Sequence, residues 1–285
     1  MSDNSPEMVD FKFDPSEMPS TSDGSMQRSE RTPSRQSIES SKILTMNGEE
    51  LLRFYVDQLK MSMDRRRMIF TETALLAVIE DRGDVPFDAR EPPPHSLKRQ
   101  YESQRFDNLL AFDFCKCCPG FDLLAQMEKA IFYRSCSLAY CLLDIAWITV
   151  QAYQVELPEP VVILFLGFVR RFNEAICRPI RTLKLTHVEF AALKALCIWK
   201  LGYCEFTPSM KVIGKEHEEA ILHGLHNYYE DLYEDSNEIS MRLGNLILLM
   251  GTVFEMNQLI METYKSAELF ALFKLDALSK SLLTL

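Results

Sequence analysis

The stretch FDFCKCCPGFDLLAQMEKAIFYRSCSLAYCLLDIAW, residues 112–147, decides how the chain is read. Cys115 and Cys118 have the C-x2-C spacing of a zinc knuckle, and Cys136 and Cys141 follow after seventeen intervening residues, so the string approaches a four-thiolate site. The spacing fails on geometry. Phe121, Leu124, Met127, Ile131 and Phe132 mark one amphipathic helix continuing through Cys141, and on it Cys136 and Cys141 lie roughly 140° apart, unable to face one tetrahedral metal. The second reading explains more residues: RFDNLLAFDFCKCC is a buried helix ended by Pro119 and Gly120. Lys116 then sits in its last turn, where a cation complements the carbonyl end, and the cysteines pack as small hydrophobes. No metal and no cofactor is expected.

Outward from this stretch, composition narrows the class. The chain has 285 residues, a net charge of -10, a pI near 5.1 and 47% hydrophobic residues, as a folded globular protein does. An acidic balance argues against a broad phosphate-binding face, so direct nucleic-acid binding is not expected. The amino terminus MSDNSPEMVDFKFDPSE lacks a secretory pattern, and VVILFLGFV and LGNLILLMGTVF fall short of the roughly 20 residues of a membrane span. With eight cysteines in a reducing compartment, thiols rather than disulfides are expected.

Residues 1–46 are rich in Ser, Pro, Thr and charge and should be disordered; RSERTPSRQS offers Thr32 and Ser34 as phosphorylation sites. The ordered domain is expected over 47–285. Asn47 and Glu50 form a capping box, followed by Leu51, Leu52, Tyr55, Leu59 and Met63 at helical spacing. VPFDAREPPPHS reads as a loop. Helices are expected near 97–118, 121–153, 159–177, 187–201, 211–234, 238–263, 265–274 and 276–284. Thr186 and Glu189 form a second capping box, and Pro179 should stop the helix before it. No sustained two-residue alternation proposes a sheet, so the class is all-α.

Catalytic patterns are missing. KEHEEAILHGLH fails as HExxH because Ile221 stands where the second histidine belongs, leaving Glu219, His223 and His226 as a solvated face; His187 reads as an exposed first-turn residue. There is no G-x-S-x-G elbow, P-loop or G-x-G-x-x-G, so enzyme activity is not expected.

With its helices laid out, the chain over roughly 47–285 resembles the ligand-binding domain of nuclear hormone receptors, especially the nematode branch. FDFCKCCPGFDLLAQMEKAIFYRSCSLAYCLLDIAW is similar to the family signature with its Lys-x-x-Pro-x-Phe turn, RPIRTLKLTHVEFAALKALCIWK and MRLGNLILLMGTVFEM to two later helices, and ELFALFKLDALSKSLLTL to the closing activation segment. The resemblance implies a three-layer antiparallel helical sandwich with an apolar cavity for a small lipophilic ligand. It also implies a groove for a coregulator's Leu-rich helix, with Lys116 and Arg134 on it and Leu278, Leu282 and Leu283 contributed by the activation helix. Gln104, Asp107, Ala111, Cys141 and Ile145 are the implied pocket residues, and Glu189 with Arg242 the implied ion pair. Met241, Leu243, Leu246, Leu249 and Val253 make the 238–263 helix apolar enough to serve as core and as a dimer interface together, in a homodimer or with another receptor.

Three departures qualify the resemblance. The first 46 residues hold no cysteine, so the two four-cysteine zinc sites of a DNA-binding domain are not expected. LSKSLL at 278–283 puts Ser281 where the activation helix usually carries glutamate, and Glu128-Lys129 replaces Asp-Gln. The implied function is transcription regulation through partner proteins, in the nucleus with shuttling to the cytoplasm. The alternative is a ligand-independent scaffold of the same fold that pairs with a receptor and does not bind DNA.

Overall fold

The computed structural model describes residues 44–70, 97–153, 165–200, 206–270 and 275–283, all within one compact unit spanning 42–285. Residues 1–43, the proline-rich stretch after residue 84 and the residues following Phe270 and Leu283 lie outside the described residues. Every regular element among the described residues is helical: α1 (Gly48–Phe70), α2 (Leu97–Cys117), α3 (Gln126–Ile148), α4 (Leu166–Phe172), α5 (Arg178–Leu183), α6 (His187–Trp199), α7 (Pro208–Glu230), α8 (Ser236–Leu269) and α9 (Ala277–Leu283). Thr149–Tyr153 extends α3 as a π turn, and Asn173–Cys177 joins α4 to α5 as another.

Local chemistry sets several of these starts. Asn47 and Glu50 cap α1 reciprocally, each backbone N–H meeting the other's side-chain oxygen at 2.9 Å. Thr186 and Glu189 do the same for α6 at 3.2 and 2.8 Å. Pro208 stands in the first turn of α7, behind Thr207, whose hydroxyl accepts from Met210 N–H. Order begins earlier than expected: Leu44 is buried in the core and its N–H donates to Glu216 at 2.8 Å.

Three boundaries correct the sequence reading. α3 begins at Gln126 rather than 121, because Gly120 takes φ 82° and successive i→i+3 bonds carry the chain through Leu124 as turns. Met127 is therefore in the exposed first turn and not on the buried face. Pro179 does not end its helix: the wider i→i+5 turn just before it moves the preceding carbonyls off the proline ring, and α5 continues to Leu183. α8 runs unbroken to Leu269, past the expected break at 263–265.

Packing arranges the helices in three layers. α6 is buried at every residue from Glu189 to Trp199, as a helix hydrophobic all round must be, and touches α1, α3, α7 and α8. α1 and α2 cover one side of this middle, and α4, α5 and α8 the other. α1 crosses α7 where two glycines meet; a Cβ on Gly224 would stand 2.3 Å from the Gly48 carbonyl oxygen. Gln126–Gln151 and Ser236–Leu269 are long and apolar enough to span a membrane by length and composition, beyond what the shorter apolar runs suggested. Both instead supply core to this fold, α3 through Phe132, Tyr140 and Leu143, α8 through Leu246, Val253 and Met256.

Candidate functional site

α9 is a seven-residue helix lying across α2 and α3. Asp276 precedes it and accepts from the N–H groups of Leu278 and Ser279; burial works to raise its carboxyl, but the Ser279 hydroxyl first, and then these two N–H groups, hold it below the ordinary range. Ser279, whose hydroxyl also donates to Asp276 at 2.6 Å, receives the side-chain amide of Asn108 on α2 at 3.0 Å. The Asn108 carbonyl in turn accepts from Tyr133 of α3 at 2.7 Å, and its side-chain oxygen receives the Cys141 thiol. Asn108 thus ties α2, α3 and α9 together. Sequence reasoning passed over it; a polar residue among the apolar positions of α2 was the available signal.

Beside α9, α2 presents Leu109, 44% exposed, Phe112, 41% exposed, and Lys116, one turn apart on one face. The Lys116 ammonium lies 5.7 Å from the Phe112 ring, and Phe112 meets Tyr133 edge-on at 5.1 Å, so α2 and α3 are joined along this strip. Met127 is exposed at the start of α3; Arg134, half-buried one face further on, has its Nε enclosed without a hydrogen-bond partner. Leu282 and Leu283 correct the expectation for α9. Both are buried, so they fasten the helix to the fold instead of facing an open groove, while Leu278 is half-buried. Ser281 is exposed and bonds back to the Ala277 carbonyl, offering no carboxylate.

The five pocket candidates divide. Asp107, Ala111 and Cys141 are buried, and Gln104 and Ile145 are half-buried. Asp107 pairs with Arg66 Nη1 at 2.5 Å; Arg66 Nη2 reaches Asp144 at 3.2 Å, and Asp144 also holds Lys194. Four charges from α1, α2, α3 and α6 are thereby enclosed, with the Lys194 ammonium 3.6 Å above the Tyr140 ring. Burial disfavours the Arg66 cation, but Asp107 and Asp144 outweigh it and raise its pKa; for Lys194 burial wins over Asp144 and lowers it. Burial raises the Tyr264 phenol, and Cys141 and then Asp107 add to it. A surface cleft of about 410 Å³ lies elsewhere, between α5 and α8, and includes none of the five.

The cysteines of the opening motif are core. Cys115, Cys118, Cys136 and Cys141 are buried, with Cys115 and Cys136 sulfurs 3.1 Å apart. Burial raises the Cys115, Cys118 and Cys141 thiols well above their usual pKa, so they stay protonated. His217, the first histidine of KEHEEAILHGLH, is likewise enclosed: it stacks on Trp199 at 4.1 Å, and burial pushes it down to about 4.

At the other end of α6, Arg242 Nε meets Glu189 Oε1 at 2.5 Å and Nη2 meets Oε2 at 2.9 Å, a bidentate pair joined by the Tyr229 hydroxyl at 2.8 Å. The dimer-helix residues divide by angle around α8. Leu246, Leu249 and Val253 share its inner face and are buried, so they are not open to a partner; Leu243 is half-buried, and Met241 is exposed with Ile247 and Leu248.

The family model for the ligand-binding domain of nuclear hormone receptors matches residues 92–270. Nuclear hormone receptor family member nhr-20 of Caenorhabditis elegans is 76% identical over 99% of this chain and 68% of its own length. Members nhr-77 and nhr-217 of the same organism are 28% and 26% identical, each over 76% of this chain and 54% and 52% of their lengths. The chain therefore spans about two thirds of the first relative and about half of the other two.

Proposed function

The chain belongs to the nuclear hormone receptor family and carries its ligand-binding domain, and on that premise we propose that it regulates transcription by docking a coregulator's Leu-rich helix on α2, α3 and α9. It is not an enzyme, and the family is one of transcription regulators acting in the nucleus. The observation that carries the reading is the seating of α9 across α2 and α3 through Ser279 and Asn108, next to an exposed strip of Leu109 and Phe112 that ends at Lys116. An apolar helix face fits that strip, and the ammonium meets the partial negative charge at the partner helix's carboxyl end. Ser281 leaves the amino end of the partner without a clamp, so affinity rests on the apolar strip and Lys116. A small lipophilic ligand, pairing with a second receptor chain, and shuttling to the cytoplasm complete the proposal.

The test is titration of a labelled Leu-rich helical peptide into the chain. Lys116→Ala should weaken binding about threefold, the size of a single helix-end charge, with helical content unchanged. Unchanged affinity overturns the groove assignment.

A second reading, the ligand-independent scaffold, is favoured by one observation: Asp107 is engaged with Arg66 and Ala111 is fully packed, so two pocket positions are occupied by the chain's own contacts. A stoichiometric lipid-sized adduct in native mass spectra supports the ligand-binding form; a bare chain supports the scaffold.

A further inference from the structure

α9 is seven residues long, too short to keep its helix in water alone, so its place is set by what it touches. Leu282 and Leu283 are buried, but apolar burial has no direction, and Lys280 with Glu268 at 2.9 Å is a largely exposed pair that adds little. The directional contact is polar. Ser279 is 1% exposed and Asn108 3%, so each needs a partner where it stands. The Ser279 hydroxyl has one proton, and Asp276 takes it at 2.6 Å; toward Asn108 the hydroxyl can only accept. That fixes the Asn108 amide. Its Nδ2 faces Ser279 at 3.0 Å, and its Oδ1 is left for the Cys141 thiol, which donates to it at 3.9 Å. The bonds therefore run in one direction, from Cys141 on α3 through Asn108 on α2 and Ser279 on α9 to the Asp276 carboxylate, and a charged acceptor at the outer end strengthens those behind it.

We propose that Asn108 is the residue that positions α9, and that this latch assembles the docking surface for the coregulator's helix without a small-molecule ligand. Donor and acceptor at each step of the relay belong to the chain itself, so the seat of α9 asks nothing of a ligand; a ligand that binds finds α9 already in place. Leu109 and Phe112, the exposed strip, follow Asn108 on α2, so the helix that presents the strip also carries the latch that sets α9 beside it. Tyr133 donates to the Asn108 backbone carbonyl at 2.7 Å, a bond that any residue at 108 would keep. The tie between α2 and α3 thus outlasts the Asn108 side chain, and loss of that side chain is felt at α9.

This rests on the docking reading and adds the device that prepares its site. Hydrogen exchange over residues 278–283 of the full chain, shown bare by native mass spectrometry, tests it. The α9 amides should be protected in the bare chain. Asn108→Leu, which keeps the bulk and removes both amide bonds, should speed their exchange about tenfold, the size of one lost buried hydrogen bond, and leave exchange in α3 as it was. Ser279→Ala should loosen α9 similarly, and the two changes together no more than either, because both cut the same bond. An asparagine that only fills space would give effects that add. If Asn108→Leu does not fold, Cys141→Ala replaces it in the pair and should speed α9 exchange about threefold, but only while Ser279 is present. Additive effects, α9 exchange that Asn108→Leu leaves unchanged, or α9 amides protected only in chains carrying a lipid-sized adduct overturn the proposal. Exchange reads the latch and the peptide titration reads the docking site, so the two fail separately: coupled effects on α9 in a bare chain that no Leu-rich peptide binds uphold the latch and sink the docking reading.

Discussion

Two ionic clusters flank the middle layer, and they are built differently. Glu189 and Arg242 meet at the amino end of α6, where Glu189 is also half of a capping box, accepts from Tyr229, and leaves Arg242 20% exposed. Arg66, Asp107, Asp144 and Lys194 come from four helices and are at most 7% exposed. The first can lose its cation and keep hydrogen bonds to its anion. The second is assembled from afar: each charge is paired in a low-dielectric interior with opposite charges 41 to 78 residues away in sequence.

The sharpest way to break this contrast is Asp144→Ala. It strands Lys194 and takes one of two anions from Arg66, leaving Asp107 as the one anion of the quartet beside two buried cations, and should cost roughly 3–5 kcal/mol in urea unfolding. Lys194, already lowered by burial, would lose the anion that opposes that lowering and fall further. If the alanine variant does not fold, Asp144→Asn keeps the shape and removes the charge. A loss below about 1 kcal/mol for either would mean that the four groups do not act as an ion network.

His217 offers an intermediate case, a buried polar ring with no charged partner. Its Nδ1 lies 3.0 Å from the Ile213 carbonyl, its Nε2 is enclosed without a partner, and its ring stacks on Trp199. Burial lowers the pKa from 6.5 to about 4, so the folded state prefers the neutral ring. Below pH 6.5 the unfolded chain gains the proton first. The contribution is therefore complete above 6.5, declines as pH falls, and is gone below about 4, a difference on the order of 3 kcal/mol. Urea midpoints of the chain and of His217→Phe between pH 7.5 and 4.5 check this: phenylalanine keeps the stack and should flatten the slope. An equal slope in both would place the titration elsewhere.

What the sequence disclosed follows the same division. The boxes Asn47–Glu50 and Thr186–Glu189 span three residues, and Lys116 declares itself by lying just before Pro119, so nearby chemistry was enough to find them. Helix existence was legible from apolar periodicity, and the three-layer architecture came with the family resemblance. The start of α3 was not, because an apolar turn and an apolar helix look alike in FDLLA until Gly120 adopts φ 82°. The quartet was hidden for a different reason. Arg66 is one of three arginines in DRRRM, and nothing local selects it. A signal did exist in Asp144 and Lys194: each is the only charge in an apolar run, CLLDIAW and FAALKALCIW, and their signs are opposite. A charge that a helix must bury needs a partner, and these two helices supplied each other's. α8 shows the converse limit, since Met241, Leu243, Leu246, Leu249 and Val253, chosen by type alone, fell on both sides of the helix and only their angles separated core from surface.

Arg242→Ala sharpens the comparison from its milder side. Removing the guanidinium leaves Glu189 buried, but Tyr229 O–H and Thr186 N–H still donate to its two oxygens, so the cost should be about 2 kcal/mol rather than that of the stranded quartet. The pH dependence should change with it. Burial works to raise the Glu189 carboxyl, yet Arg242, Thr186 and Tyr229 together hold it below 4.5, so its contribution is present above the ordinary glutamate value and is lost as pH falls through the lowered one. Without Arg242 the balance shifts toward burial, and the variant should lose less stability than the parent when acidified from pH 5 to pH 3. A variant as acid-sensitive as its parent would show that Thr186 and Tyr229 hold the carboxylate by themselves, and that the ion pair adds nothing to what these two donors already do.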